Sequence, residues 1–484
     1  MPGAYEGWGL WIQGPLLLAS FIASRRLLAD VKPRWLYLVG FVVPVLAVFL
    51  LPPGRYHWSG HEGVYGELLA GALPADPSDL RSYRVMPLPS GVTWLLGQTL
   101  PEWLARPFWL AANRADLGLC LLLLGAAATS LAQDEDAPVL TLVLLGLTPA
   151  LWAWSGTGFA ILPAVSASAF ALLAAARGHA PLTLLWAAMA AASRLEYLPV
   201  GLTAVALLRS YDWRRADRAG LTAAAAVCGI QGVLLVGKGS ALPADLGAFD
   251  GLLAARNLQS LDGMLGFGVW GTAAVAVAVG LRTAFERDRD LAILLGGAGL
   301  AALQTLTVVD LGARHLLPLT MLLALGWGAA FPFYSPFGSR RSALVSAALI
   351  AWFVVLAVPD FAELRERYMT GPESIPAVWR CDDCTAPWQD TEGSPCLRVY
   401  PGGPVDPGDA DAALTAADAL DDGGCVLWAL YDHAEVSGDA RGERTERAVH
   451  LLDLIPLGWA SRPGEDPWYL LGAGPGAAEH DRQP

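Results

Sequence analysis

Apolar runs of about 17–25 residues recur from Trp8 to Pro359, the length of helix that crosses the hydrocarbon core of a bilayer. They cover residues 8–24, 35–52, 115–132, 138–154, 158–176, 181–193, 195–209, 219–236, 267–283, 290–308, 313–332 and 342–359. No water satisfies backbone N–H and C=O groups inside a bilayer, so such runs must be helical. Charged residues are 16% of the chain, against about 25% in a soluble domain. The expected fold is an α-helical polytopic membrane protein of about twelve transmembrane helices. The runs 181–193 and 195–209 are short for two crossings, so they form either one long helix or a tight hairpin.

The net charge of −13 is unevenly spread: residues 360–484 carry 24 acids against 9 bases, and the first 359 carry 21 against 23. The acidity therefore belongs to the tail. Lys and Arg in short loops mark the cytoplasmic side. Arg25, Arg26, Lys32 and Arg34 form one such group, and Arg209, Arg214, Arg215 and Arg218 a second. Arg282, Arg287 and Arg289 form a third, and Arg340 with Arg341 a fourth. With twelve crossings all four fall on one side, which places residues 53–114, 237–266 and everything after 359 outside. Residues 1–359 then form the membrane domain, with 53–114 as its first outer loop. Met1 to Trp8 has no basic stretch and no Ala-x-Ala site ends the first run, so that run is expected to stay in the membrane. Val92 to Trp109 is amphipathic and is expected to lie along the interface, with Trp94, Trp103 and Trp109 at headgroup level.

Residues 360–484 form a second, soluble α/β domain, expected to carry a helix over Ala410–Leu420 and strands over Cys425–Tyr431 and Trp468–Leu471. Arg444 to Leu454 has helical spacing. Four of the six cysteines sit here: Cys381, Cys384, Cys396 and Cys425. Outside the cytoplasm disulfides are their expected state, with three possible connectivities; the rival is a zinc site, because Cys381 and Cys384 have ligand spacing. Cys120 and Cys228 lie in apolar runs and read as packing residues.

The chemistry-bearing residues are few. His57, His61, Glu62 and Tyr65 crowd the outer end of the second run. A carboxylate there can act as general base towards an acceptor hydroxyl, and His61 can tune it; the competing reading is a solvated loop acid. Arg194 and Glu196 sit between two apolar runs, where ionisable groups face a partner or a water-filled cavity. They are equally readable as an ion pair that holds two helices together. Arg314 and His315 follow Asp310 at an outer helix end, where a guanidinium can hold a phosphate or simply snorkel to the interface. Walker A, Gly-x-Ser-x-Gly and His-Glu-x-x-His motifs are absent, and no basic patch suggests nucleic acid.

Taken in order, these segments resemble the GT-C superfamily of membrane glycosyltransferases that use polyprenyl-phosphate sugars, in its ArnT, protein-mannosyltransferase and RgtA-like branches. Gly60-His-Glu-Gly-Val-Tyr65 looks like the family's acidic first outer loop, Pro87-Leu-Pro89 like the entry to its interfacial helix. Arg194-Leu-Glu196 looks like an Arg-x-Glu hairpin, and Arg314-His315 through Pro318 like the opening of a later span. The resemblance implies sugar transfer to a glycan, lipid or protein acceptor at the outer face of a bacterial inner membrane, with a periplasmic tail. Glu62 would be the catalytic base, and Arg314, His315 and Arg194 would hold the donor phosphate. His57, His61, Tyr65 and Glu196 would position donor or acceptor. No cofactor or divalent metal is expected. The chain departs from the family in having His61 where many members have an acid beside Glu62. The alternative from another class is a non-catalytic transporter or assembly factor for lipid-linked glycans.

Overall fold

A computed structural model describes residues 15–50, 65, 68–71, 87–155, 161–208, 225, 288–306, 316–330, 348, 350–352, 354–359, 361–362, 396–400, 405–407, 409, 411–430, 448, 452, 454–460 and 468–473. The described part is mostly helical, with one small sheet. Prolines and polar breaks divide the apolar runs into helices. These are α1 over 15–23, α2 (Arg25–Ala29), α3 (Trp35–Leu50), α4 (Pro87–Thr99), α5 (Glu102–Ala132) and α6 (Ala137–Gly146). Then come α7 (Pro149–Ser155), α8 (Ile161–Ala176), α9 (Ala180–Ser193), α10 (Leu198–Leu207), α11 (Arg289–Leu306) and α12 (Leu317–Ala329).

Among the described residues one helix, α5, is long and apolar enough to cross a membrane; several shorter apolar helices accompany it. α5 is central: α3, α4, α6, α8 and α12 all pack on it. Its start differs from expectation. Residues 102–114 were expected to belong to the outer loop, yet they are the first turns of this helix. Arg106, Asn113, Arg114 and Asp116 lower the hydropathy there without breaking the helix, and Glu102 pairs with Arg106 across one turn at 2.8 Å. The three tryptophans separate accordingly: Trp103 is 75% exposed, Trp109 is 3% exposed, and Trp94 is half-buried. Trp103 alone suits a headgroup-level position.

The run 138–154 is cut in two at Leu147-Thr148-Pro149, and the Trp152 indole N–H donates to the Gly146 carbonyl left over at the break, at 2.8 Å. α6 is joined to α12 by a buried bond from Thr141 Oγ1 to the Ala324 carbonyl, 3.0 Å. α1 is held by α8 and α9. Trp186 stacks on Phe170 with centroids 4.3 Å apart, and Phe21 meets both rings edge-on at 5.3 and 5.5 Å. Trp186 Nε1 donates to Ser24 Oγ at 2.7 Å. Arg177, at the end of α8, donates from Nη1 to the Leu27 carbonyl and from Nη2 to that of Asp30, both at 2.9 Å.

Helix seams in a bilayer gain from small residues that let backbones approach. α3 and α5 meet at Gly118, where an added methyl group would overlap the Gly40 carbonyl and lie 2.6 Å from Pro44 Cγ. Gly118→Ala is therefore expected to destabilise the protein by about 1–3 kcal/mol, read as a lower unfolding midpoint in detergent. Gly146→Ala, whose added methyl group meets nothing within 4 Å, is the control and should leave the midpoint in place.

The sheet has strand order β1-β2-β4-β3, from β1 (Cys396–Val399), β2 (Cys425–Leu430), β3 (Ile455–Ala460) and β4 (Trp468–Ala473). β1 and β2 are parallel and joined through α13 (Ala412–Asp421), which packs on both. The other pairings are antiparallel. The expected helix and two of the strands lie within two residues of their predicted limits, while β1 and β3 were not anticipated. β3 carries Pro456 and Gly458 with a register shift between them, tolerated because it is an edge strand. Cys396 and Cys425 stand opposite each other in register, and Cys120 is a free, buried thiol.

Candidate functional site

The site is built where α9 ends. Arg194 leaves the helix in an extended conformation (φ −158°, ψ 127°), and a 3-10 turn, Leu195–Tyr197, leads into α10. Pro199 falls in the first turn of α10, where its missing N–H costs nothing. α9 and α10 then pack against each other, with Gly201 beside Ala187. The two apolar runs left open by the sequence are thus a tight hairpin, with Arg194 and Glu196 at its tip. α9 has 14 residues, so it rises about 21 Å, short of the roughly 30 Å of a bilayer core. An ionisable pair at a buried helix break is tolerated only where protein or a wet cavity surrounds it.

Arg194 and Glu196 form a two-pronged pair. Nε donates to Oε2 at 2.8 Å and Nη2 donates to Oε1 at 2.7 Å, and their side chains are only 9% and 19% exposed. The short turn makes this possible, because it sets residues two apart on one side. The fork fixes the plane of the guanidinium, the feature that suits Arg to oxyanions. Tyr197 is fully buried, and its hydroxyl has no hydrogen-bond partner among the described residues. It lies within electrostatic reach of Glu196, Arg194 and Cys120. A buried donor left unspent is a place for a ligand oxygen or a water.

Tyr65 brings the first outer loop to the same place. It is 1% exposed, its ring tilts against Trp109 of α5 with centroids 6.3 Å apart, and it is within electrostatic reach of Arg194. The next described residues are pinned as well. Leu68 and Leu69 are fully buried, their backbone runs closely past Gly97 of α4, and Gln98 Nε2 donates to the Gly71 carbonyl at 3.1 Å.

Of the residues expected to act, the structure brings together Tyr65, Arg194 and Glu196. Glu62, His61, His57, Arg314, His315, Cys381 and Cys384 lie outside the described residues. Two residues escaped the sequence reading. Tyr197 had a visible signal, an aromatic hydroxyl directly beside an ionisable pair at a helix break. Asp116 had a stronger one, a carboxylate inside an apolar helix; Ser166 Oγ on α8 donates to its backbone carbonyl at 3.2 Å. Among the described residues no group of three or more His, Cys, Asp or Glu is placed to hold a metal ion.

No family model matches the chain, and no curated protein matches it. The chain is similar to one solved structure, the crystal structure of ArnT from Cupriavidus metallidurans bound to undecaprenyl phosphate. The two are 14% identical, and the likeness covers 91% of this chain and 98% of that one, with a TM-score of 0.46.

Proposed function

We propose that this chain is an integral membrane glycosyltransferase that moves a sugar from a polyprenyl-phosphate donor to an acceptor at the outer face of a bacterial inner membrane. The observation that carries this reading is the buried Arg194–Glu196 fork at a hairpin tip, within electrostatic reach of Tyr65, the last residue of the Gly60–Tyr65 stretch. Tyr65 is fixed against Trp109 within reach of Arg194, and Glu62 precedes it by three peptide units, a tether of about 11 Å at most. In this reading the chain tethers a base to the neighbourhood of a phosphate-binding cation. The apolar outer face of α3 supports the membrane setting: Leu38, Phe41 and Phe49 are 63%, 71% and 77% exposed, and its 16 residues include no ionisable group apart from Tyr37.

In this reading Glu62 takes the proton of the acceptor hydroxyl as its oxygen attacks the anomeric carbon. The bond from that carbon to the phosphate oxygen breaks, and its electron pair stays on the departing polyprenyl phosphate. Arg194, with Arg314 and His315, stabilises the charge that gathers there. The tail, with its four cysteines paired as disulfides, forms the periplasmic domain. Membranes containing the protein, incubated with a panel of polyprenyl-phosphate sugars, are expected to release polyprenyl phosphate from at least one and to glycosylate an acceptor. Binding of such lipids without transfer from any of them would leave the non-catalytic carrier as the better reading.

A further inference from the structure

We infer that Glu196 is a charge-setting residue, whose carboxylate keeps the grip of Arg194 on phosphate weak enough for the product to leave; this rests on the donor-phosphate reading of Arg194. Group transfer changes the charge the site must hold. A polyprenyl-phosphate sugar is a phosphodiester with one negative charge. The polyprenyl phosphate left behind is a monoester, which carries about 1.5 to 2 negative charges at neutral pH. A bare guanidinium buried at membrane depth would therefore hold product more tightly than donor, since Coulomb attraction grows as the dielectric falls. Such a site would fill with its own product.

The geometry at the hairpin tip opposes that. Both carboxylate oxygens of Glu196 sit on Arg194, at 2.7 and 2.8 Å, so the pair is close to neutral while the guanidinium plane stays fixed. The Tyr197 hydroxyl, buried and without a hydrogen-bond partner among the described residues, is an uncharged donor within electrostatic reach of both. At this tip the oriented donors carry little net charge, so Arg194 adds to phosphate recognition by geometry and little to the preference for two charges over one. A merely structural ion pair would have the same fork, but removing its charge would not tighten phosphate binding.

The test is binding of farnesyl phosphate, a short polyprenyl monophosphate, to the purified full-length protein in detergent, with farnesol as the uncharged control. Glu196→Gln keeps an oxygen that can accept from Arg194 and removes the charge. It is expected to bind farnesyl phosphate about tenfold tighter than wild type, with farnesol binding unchanged. In the transfer reaction the same variant should show stronger product inhibition and a lower kcat. Unchanged or weaker binding of farnesyl phosphate overturns the inference while leaving Arg194 as a phosphate ligand. If neither protein binds farnesyl phosphate better than farnesol, the donor-phosphate reading fails with it. Should Glu196→Gln not fold, Glu196→Asp draws the carboxylate back by one methylene, and tightening of at least about twofold is expected there; its absence is equally decisive.

Discussion

Glu62→Gln is expected to lower sugar transfer by about 10²–10⁴-fold, the usual worth of a positioned general base. The substitution keeps the size and hydrogen-bonding reach of the side chain and removes only its ability to take a proton. The anchors downstream do not depend on it: Tyr65 stays on Trp109, and Leu68 and Leu69 stay on α4. Insertion and the unfolding midpoint should therefore match wild type, which separates lost chemistry from lost structure. Glu62 is flanked in the chain by His61 and Gly63, so no adjacent residue offers a second carboxylate. Transfer within about tenfold of wild type would remove Glu62 from the chemistry.

Trp186→Ala should be the most damaging single change in the packed core, at about 3–5 kcal/mol. The side chain is 1% exposed, stacks on Phe170 and receives the edge of Phe21. Its indole N–H also satisfies Ser24 Oγ across 162 positions of sequence. Removing it opens a cavity between α8 and α9 and unfastens α1 at once. A much lower unfolding midpoint in detergent, with early proteolysis in the first 34 residues, is the expected pattern. Trp186→Phe retains the stack and loses only the hydrogen bond, so its cost should be about 1 kcal/mol. If the two variants behave alike, the aromatic stack is not what holds the N-terminal helix.

These two residues illustrate what could be read before the fold was known. That α8 and α9 exist followed from apolar run length, because a membrane helix needs little else. Which residues face each other did not: α9 is apolar all round, so its sequence gives no direction for Trp186. The hairpin at Arg194 was undecided because periodicity is the same for a continued helix and a returning one; Pro199 and the 3-10 turn settle it in three dimensions. The start of α5 was misplaced because Arg106, Asn113 and Arg114 depress hydropathy, although buried positions in a bundle can host them. In the tail, β2 was legible from its unbroken apolar run, while β3 was hidden by Pro456 and Gly458, residues that only an edge strand accepts. Of the site, Arg194, Glu196 and Tyr65 were singled out from chemistry alone, and their proximity is the part that needed a fold.

The long central helix has one more consequence. Arg106, Trp109, Asn113, Asp116 and Cys120 recur every three or four residues and so share one face of α5. That face meets Tyr65 at Trp109 and Ser166 at Asp116, and Cys120 lies within reach of Tyr197. It is a seam of the packed core in which Asn113 and Asp116 set polar groups between Trp109 and Cys120. A loss of packing at the Trp109 end of that seam is therefore expected to be felt at Tyr197, about a dozen positions of helix away from the first outer loop.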